Sequence, residues 1–198
     1  MIRSYFFFSI LLLKTFILFG QEIKDNYITF VQGDSSYKIS KATDSVFLER
    51  RPFSLRYFGR IYDNKSQKFY SAQIAVLENQ SDTKSLKIGT QTKDIPYFEP
   101  GTGMAPGQNG MYDTVVISNT GHHYLTYENE KEKRVFLIST NQKKFEFEWI
   151  ISAVFNKAQD VQFHDLKLPC LFFVVFLDNN LNEVIDKGEM KIVKVIFK

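Results

Sequence analysis

Phe145-Glu146-Phe147-Glu148-Trp149-Ile150-Ile151-Ser152-Ala153-Val154-Phe155 decides the fold class. Every second residue (Phe145, Phe147, Trp149, Ile151, Ala153 and Phe155) is apolar, while the positions between them start acidic and turn apolar midway. A strand points successive side chains to opposite faces. The spacing therefore predicts one long strand with a dry face on a core and a wet face that becomes covered partway.

Working outward, Phe53-Ser54-Leu55-Arg56-Tyr57 alternates in the same way and runs on to Tyr62. A polar turn over 63–68 leads into an apolar stretch over 69–77, the pattern of a hairpin. Residues 171–177 are apolar throughout, which predicts a strand covered on both faces in the middle of a sheet. Its expected partner is 192–197, with Val193, Val195 and Phe197 dry and Lys194 and Lys198 in water. Shorter strands are expected at 27–31, 36–39, 46–49, 86–88, 114–118, 123–127 and 134–139. No stretch repeats apolar residues at i, i+3, i+4 and i+7 between caps, so little helix is expected; 156–162 has room for one short turn. Twenty Phe and ten Tyr, types that suit pleated surfaces, agree. About ten to twelve strands between turn signals predict an all-β fold. The form expected is an antiparallel β-sandwich, immunoglobulin-like or jelly-roll-like.

The chain opens Met1-Ile2-Arg3-Ser4, continues apolar from Tyr5 to Phe19 and turns polar at Gly20-Gln21-Glu22. A basic start, a short apolar run and a small residue before polar sequence predict a secretory signal peptide over 1–20. The run is shorter than the ~20 apolar residues that cross hydrocarbon, and it contains Lys14. A membrane anchor is therefore not expected, and no transmembrane segment remains once the signal is removed. No Cys stands beside the cleavage site to carry lipid. Residues 21–198 are expected to be a single β-sandwich domain, large enough to bury a core without disulfides. Cys170 is the only cysteine and has no internal partner; in Leu168-Pro169-Cys170-Leu171-Phe172 it reads as a buried, inert thiol. The 25 basic and 22 acidic residues come close to balance without Arg3 and Lys14, and no basic stripe remains, which argues against a nucleic-acid partner. The expected location is the periplasm, cell surface or medium of a bacterium.

Two connections are longer than the roughly 2–5 residues of an ordinary hairpin loop. The second, 178–189, has Asp178 at position 1, Asn180 and Asn182 at 3 and 5, Asp186 at 9 and Glu189 at 12. Val184 offers a backbone carbonyl at 7, and Ile185 sits where such loops bury an aliphatic side chain. Calcium seeks six to eight oxygen ligands, and twelve-residue loops supply them from these positions. The three carboxylates match its charge. Position 6 departs from the pattern: Glu183 stands where a Gly usually allows φ > 0. The bland reading is an Asn/Asp-rich surface turn.

The segment Phe176-Leu177-Asp178-Asn179-Asn180-Leu181-Asn182-Glu183-Val184-Ile185-Asp186-Lys187-Gly188-Glu189 resembles the calcium loop of the SdrD B-type repeats, immunoglobulin-like modules of bacterial surface proteins. It is also similar to the EF-hand loop, but its flanks are strands. The resemblance covers about a tenth of the chain. It implies Ca²⁺ at Asp178, Asn180, Asn182, Asp186 and Glu189, with a structural role.

The first long connection, Glu99-Pro100-Gly101-Thr102-Gly103-Met104-Ala105-Pro106-Gly107-Gln108-Asn109-Gly110, holds four of the ten glycines. Pro106 and the following glycines deny the helix that a phosphate fingerprint needs. The loop reads instead as a cover over one end of the sandwich, with Gly101, Thr102, Gly103 and Met104 as candidate ligand contacts. His122 and His123 are the other candidates. As neighbours on a strand they point to opposite faces and do not chelate one ion. His164, beside Asp165, is the third histidine, and no G-x-S-x-G elbow accompanies any of them. Zinc is not expected, because these histidines and Cys170 lack ligand spacing. Glu146 and Glu148 share a strand face about 7 Å apart from strand rise alone, and read as solvent-facing charges. No catalytic residue is assigned. The expectation is an exported, non-enzymatic, calcium-stabilised module that binds a protein or a glycan. The alternative is a small secreted hydrolase with its site near 99–110 and His122 or His123.

Overall fold

Apolar residues on alternate positions bring two five-stranded sheets face to face. The computed structural model describes residues 27–59, 71–98, 113–117, 121–126, 135–141, 144–178, 180 and 182–198. The signal peptide expected over 1–20, and Gly101, Thr102, Gly103 and Met104, lie outside them. The strands in chain order are β1 (Ile28–Gln32), β2 (Ser35–Ile39), β3 (Thr43–Leu48), β4 (Phe53–Gly59), β5 (Ser71–Leu77), β6 (Thr114–Val116) and β7 (His123–Thr126). They continue with β8 (Val135–Asn141), β9 (Lys144–Ile151), β10 (Ala153–Asn156), β11 (Gln159–Gln162), β12 (Cys170–Phe176) and β13 (Met190–Phe197). Helix among the described residues is confined to three short 3₁₀ turns.

The first sheet runs β2-β1-β4-β9-β8 and the second β3-β13-β12-β5-β7. A third, β11-β10-β6, joins them: β10 follows β9 with only Ser152 between, and Ile117 just past β6 bridges Val76 of β5. Pairing is antiparallel except for β13 with β3 and β10 with β6, which are parallel. The core lies between the two large sheets. Ile28, Phe30, Leu55, Tyr57, Phe147 and Trp149 from the first meet Ile74, Val76, Phe173, Val193 and Val195 from the second. Phe173 stands edge-on to Phe30, with ring centroids 5.6 Å apart, and Phe53 adds a second edge contact at 5.8 Å. Aromatic pairs of this geometry contribute about 0.5–1.5 kcal/mol beyond area burial.

Residues 171–177 are mid-sheet as expected: β12 lies between β13 and β5 and is covered on both faces. Its outer face carries a second apolar cluster, Phe172, Val174 and Phe176 packed with Ala75, Leu77, Ile95, Tyr97, Phe98 and Ile185. The residues over that face come from two connections, 79–98 after β5 and 178–189 after β12. The end of the sandwich between β3 and β4 is tied by side chains. Gln32 donates to the carbonyls of Glu49 and Arg51 and accepts the Glu49 N–H at 2.7 Å. Arg50 donates to the carbonyls of Leu166 and Leu168.

Four sequence expectations need correction. The strands at 53–59 and 71–77 form no hairpin: β4 pairs with β1 and β9 in one sheet, β5 with β12 and β7 in the other. The expected continuation to Tyr62 and the turn over 63–68 lie outside the described residues. The long strand 145–155 breaks at Ser152. The Ser152 and Ala153 N–H groups both donate to the Asp113 carbonyl, and the dry face passes from Ile151 to Val154 rather than to Phe155. Residues 156–162 are not helical; Lys157 (φ 50°) and Ala158 (φ 65°) make the two-residue turn of a hairpin joining β10 to β11. Residues 86–88 form no strand and belong to the irregular cover, with Ile88 turned to solvent.

Candidate functional site

Two features bear on function: the 178–189 loop and the histidine pair. The loop begins where β12 leaves the core and ends where β13 enters it, so rigid strands fix both its ends. Asp178 uses both carboxylate oxygens within the loop: Oδ1 accepts the Asn182 N–H at 3.3 Å and Oδ2 the Glu183 N–H at 2.9 Å. Asn180 Oδ1 accepts the Asn182 N–H and Asn182 Oδ1 the Val184 N–H. The amide groups of both asparagines donate to Asp186 Oδ2, at 2.7 and 2.9 Å. Glu189, only 5 % exposed, accepts the Asp186 N–H at 3.1 Å. The chain is thus wound around a small centre by its own side chains, and positions 1, 3 and 5 each receive a backbone donor further along.

Glu183 carries φ 58°, the left-handed conformation that a Gly would supply at this position. The turn is therefore made without glycine, at a cost of about 1 kcal/mol. Two N–H···carboxylate bonds to Asp178, one of them from Glu183 itself, help to offset that cost. Hydrogen bonds to charged acceptors contribute about 1.5–3 kcal/mol each.

The loop also pairs sideways. Ile185 donates to the Thr90 carbonyl and accepts from Gly89, while Thr92 donates to the Glu183 carbonyl through both its N–H and its hydroxyl. Gln91 and Val184 form an antiparallel bridge. Ile185, 2 % exposed, packs into the outer apolar cluster as its place in the loop predicts. This ladder to residues 89–92 has no signal in the sequence. Among the described residues no group of three or more His, Cys, Asp or Glu is arranged to hold a metal ion. In this arrangement Asp178, Asp186 and Glu189 are engaged with N–H donors, and the remaining oxygens of the pattern belong to Asn180, Asn182 and the backbone of Val184.

His122 and His123 lie on opposite sides of the second sheet. His122 meets Phe98 of the outer cluster at 5.7 Å, and His123 meets Trp149 of the core at 5.2 Å. Burial lowers the pKa of both; for His122 a backbone hydrogen bond with Tyr97 opposes the effect. For His123 the charge on His122 adds to burial and brings the value down to about 4. Its Nε2 accepts the Val116 N–H at 2.7 Å, which holds β6 beside the start of β7. A lone pair used in this way is not open to a substrate proton. The remaining polar groups named from sequence are surface features: Glu148 pairs with Arg56 at 3.2 Å, Glu146 accepts from Ser139, and His164 and Asp165 stand in solvent. Cys170 is half-buried at the edge of the outer cluster.

The fold and loop define an all-β sandwich with an oxygen-rich loop on its last two strands. No known protein family, curated protein or solved structure matches the chain. Among the described residues no helix is long and apolar enough to cross a membrane.

Proposed function

We propose that the chain is an exported, non-enzymatic binding module in which Ca²⁺ at 178–189 braces the fold, and whose partner is a protein or a glycan. The observation that carries this reading is the winding of the loop. Asp178, Asn180 and Asn182 each turn an oxygen toward backbone donors within the loop, and position 6 takes the left-handed conformation despite being Glu183. An entering cation would take the place of the two amide donors at Asp186 and draw on Asp178, Asn180, Asn182, Val184, Asp186 and Glu189. The resemblance to the SdrD B-type loop supports the same ligands. Export rests on the signal-like sequence over 1–20.

Extracellular calcium modules bind at about 10⁻⁴–10⁻³ M, so millimolar Ca²⁺ adds about 0.4–1.4 kcal/mol by linkage. That corresponds to about 1–5 °C in a chain of this size. Thermal unfolding with Ca²⁺, with EGTA and with Mg²⁺ tests the reading. A calcium-specific rise that is absent in Asp178→Ala and Glu189→Ala supports it, and identical curves return the loop to an ordinary polar turn. The hydrolase alternative has less in its favour, because the His123 Nε2 is committed to Val116.

A further inference from the structure

The outer face of the second sheet is covered by a segment that carries no regular strand. Residues 79–98 contain two 3₁₀ turns, Gln80–Thr83 and Thr92–Asp94, and irregular chain between them. Ile95, Tyr97 and Phe98 from this strap are buried against Phe172, Val174 and Phe176. Tyr97 also reaches back along the strap, its hydroxyl donating to the Asp82 carbonyl at 3.0 Å. Contact between strap and loop 178–189 has two parts. The first is the backbone ladder that joins Gly89 and Thr90 to Ile185 and Thr92 to Glu183. The second is apolar: Ile185 lies in the same cluster as Ile95 and Phe98.

From this arrangement we infer that strap and loop open and close as one unit, so that a cation held by the loop governs how long the apolar outer face of the second sheet stays covered. The inference rests, for its trigger, on the calcium reading above. The residue that accepts the Thr92 bonds is Glu183, the same residue whose N–H is held by Asp178 and whose backbone is strained to φ 58°. Release of Asp178 lets Glu183 relax toward ordinary backbone angles, which swings its carbonyl away from Thr92. Ile185, two residues on, loses its alignment with Gly89 and Thr90. Nothing in this path passes through the first sheet, so β1, β4 and β9 are unaffected. Local opening of this kind, along irregular and partly exposed backbone, lies at the low-stability end of a fold. Here it exposes Leu77, Phe172, Val174 and Phe176 on the sheet together with Ile95, Tyr97 and Phe98 on the strap.

Amide hydrogen exchange on the full chain tests the coupling. Asp178→Ala removes two hydrogen bonds to a carboxylate, so exchange at Glu183 and Ile185 is expected to quicken about tenfold or more. The amides of Gly89 and Thr92 quicken by the same factor, while those of β1 and β4 keep their rates. Thr92→Val approaches from the other side. It removes one hydroxyl and is expected to quicken Ile185 together with Gly89. Loop amides that quicken while strap amides hold their rates in Asp178→Ala, or strap amides that quicken while loop amides hold theirs in Thr92→Val, overturn the proposal. In the parent chain, millimolar Ca²⁺ is expected to slow both segments equally, and slowing of the loop alone also overturns it. Terbium luminescence measured alongside reports binding at the loop directly. A chain that binds no terbium and shows no calcium effect removes the calcium reading, and the two variants then decide the coupling on their own.

Discussion

Acidification from pH 7 to pH 4 is expected to destabilise the fold by about 3 kcal/mol through His123 alone. The magnitude follows from its two protonation equilibria. In the unfolded chain its pKa is about 6.5; in the fold it is lowered to about 4, chiefly by burial and secondarily by His122. The folded value is the lower, so the unfolded state binds the proton more readily between these limits. Stability is full above pH 6.5 and falls as pH drops through the window, by about 2 kcal/mol at pH 5 and about 3 kcal/mol at pH 4. Structurally, the proton must enter at Nε2. It displaces the Val116 N–H and leaves a charge against the Trp149 ring in the core. Trp149 is the chain's only tryptophan and is 1 % exposed, so its fluorescence reports unfolding of this region without labels. Urea titrations from pH 7 to 4 on the parent chain and on His123→Gln, which keeps an acceptor for Val116 but does not titrate, isolate the contribution. The stability of the parent minus that of the variant is expected to fall by about 3 kcal/mol across the range. A gap constant to within about 0.5 kcal/mol refutes the assignment of His123 as a buried neutral acceptor.

Further expectations concern single positions. Glu183→Gly relieves the left-handed strain at position 6 and is expected to raise stability by up to about 1 kcal/mol, less the backbone entropy that Gly adds to the unfolded chain; a lower urea midpoint contradicts the strained reading of φ 58°. Phe173→Ala empties a 0 %-exposed site between Phe30 and Phe53 and is expected to cost about 3–5 kcal/mol. Phe136→Ala, on an edge-strand side chain 42 % exposed, is expected to change stability by less than about 0.5 kcal/mol, which denaturant melts of both variants resolve.

What the sequence made legible tracks how local the determining contacts are. Alternation in β4 and β9 and the continuous apolar run of β12 reflect which faces are wet, and that is a property of each residue's own neighbours. The β12–β13 pair was legible because the expected neighbour one loop away is also the one that pairs. The partners of β4 and β5 were not, since pairing across sheets depends on contacts from residues far along the chain. Val154 illustrates the same limit. A strict period of 2 puts Phe155 on the dry face, and the switch at Ser152 comes from the Asp113 carbonyl, nearly forty residues away. At the candidate site, the oxygen pattern of 178–189 and the burial of Ile185 were readable from spacing. The strap was not, because apart from the Thr92 hydroxyl, Gly89, Thr90 and Thr92 engage the loop through backbone groups that any sequence carries. His123 was readable as lying opposite His122 but not as a bonding partner of Val116, which reaches it around the corner between β6 and β7.

The parallel pairing of β13 with β3 has a consequence for the order in which the chain is assembled. Thr43–Leu48 lies at the sheet edge with β13 as its neighbour, and β13 comes from Met190–Phe197. A ribosome has made nearly 150 further residues before β3 finds its partner. The second sheet is therefore completed only at the end of synthesis, and closure over so long a span is slow. Until Met190–Phe197 has been made, β3 has no strand partner and β12 lacks one of its two neighbours. Until then the partnerless β3 presents open N–H and C=O groups, the part of the fold most exposed to pairing with another chain.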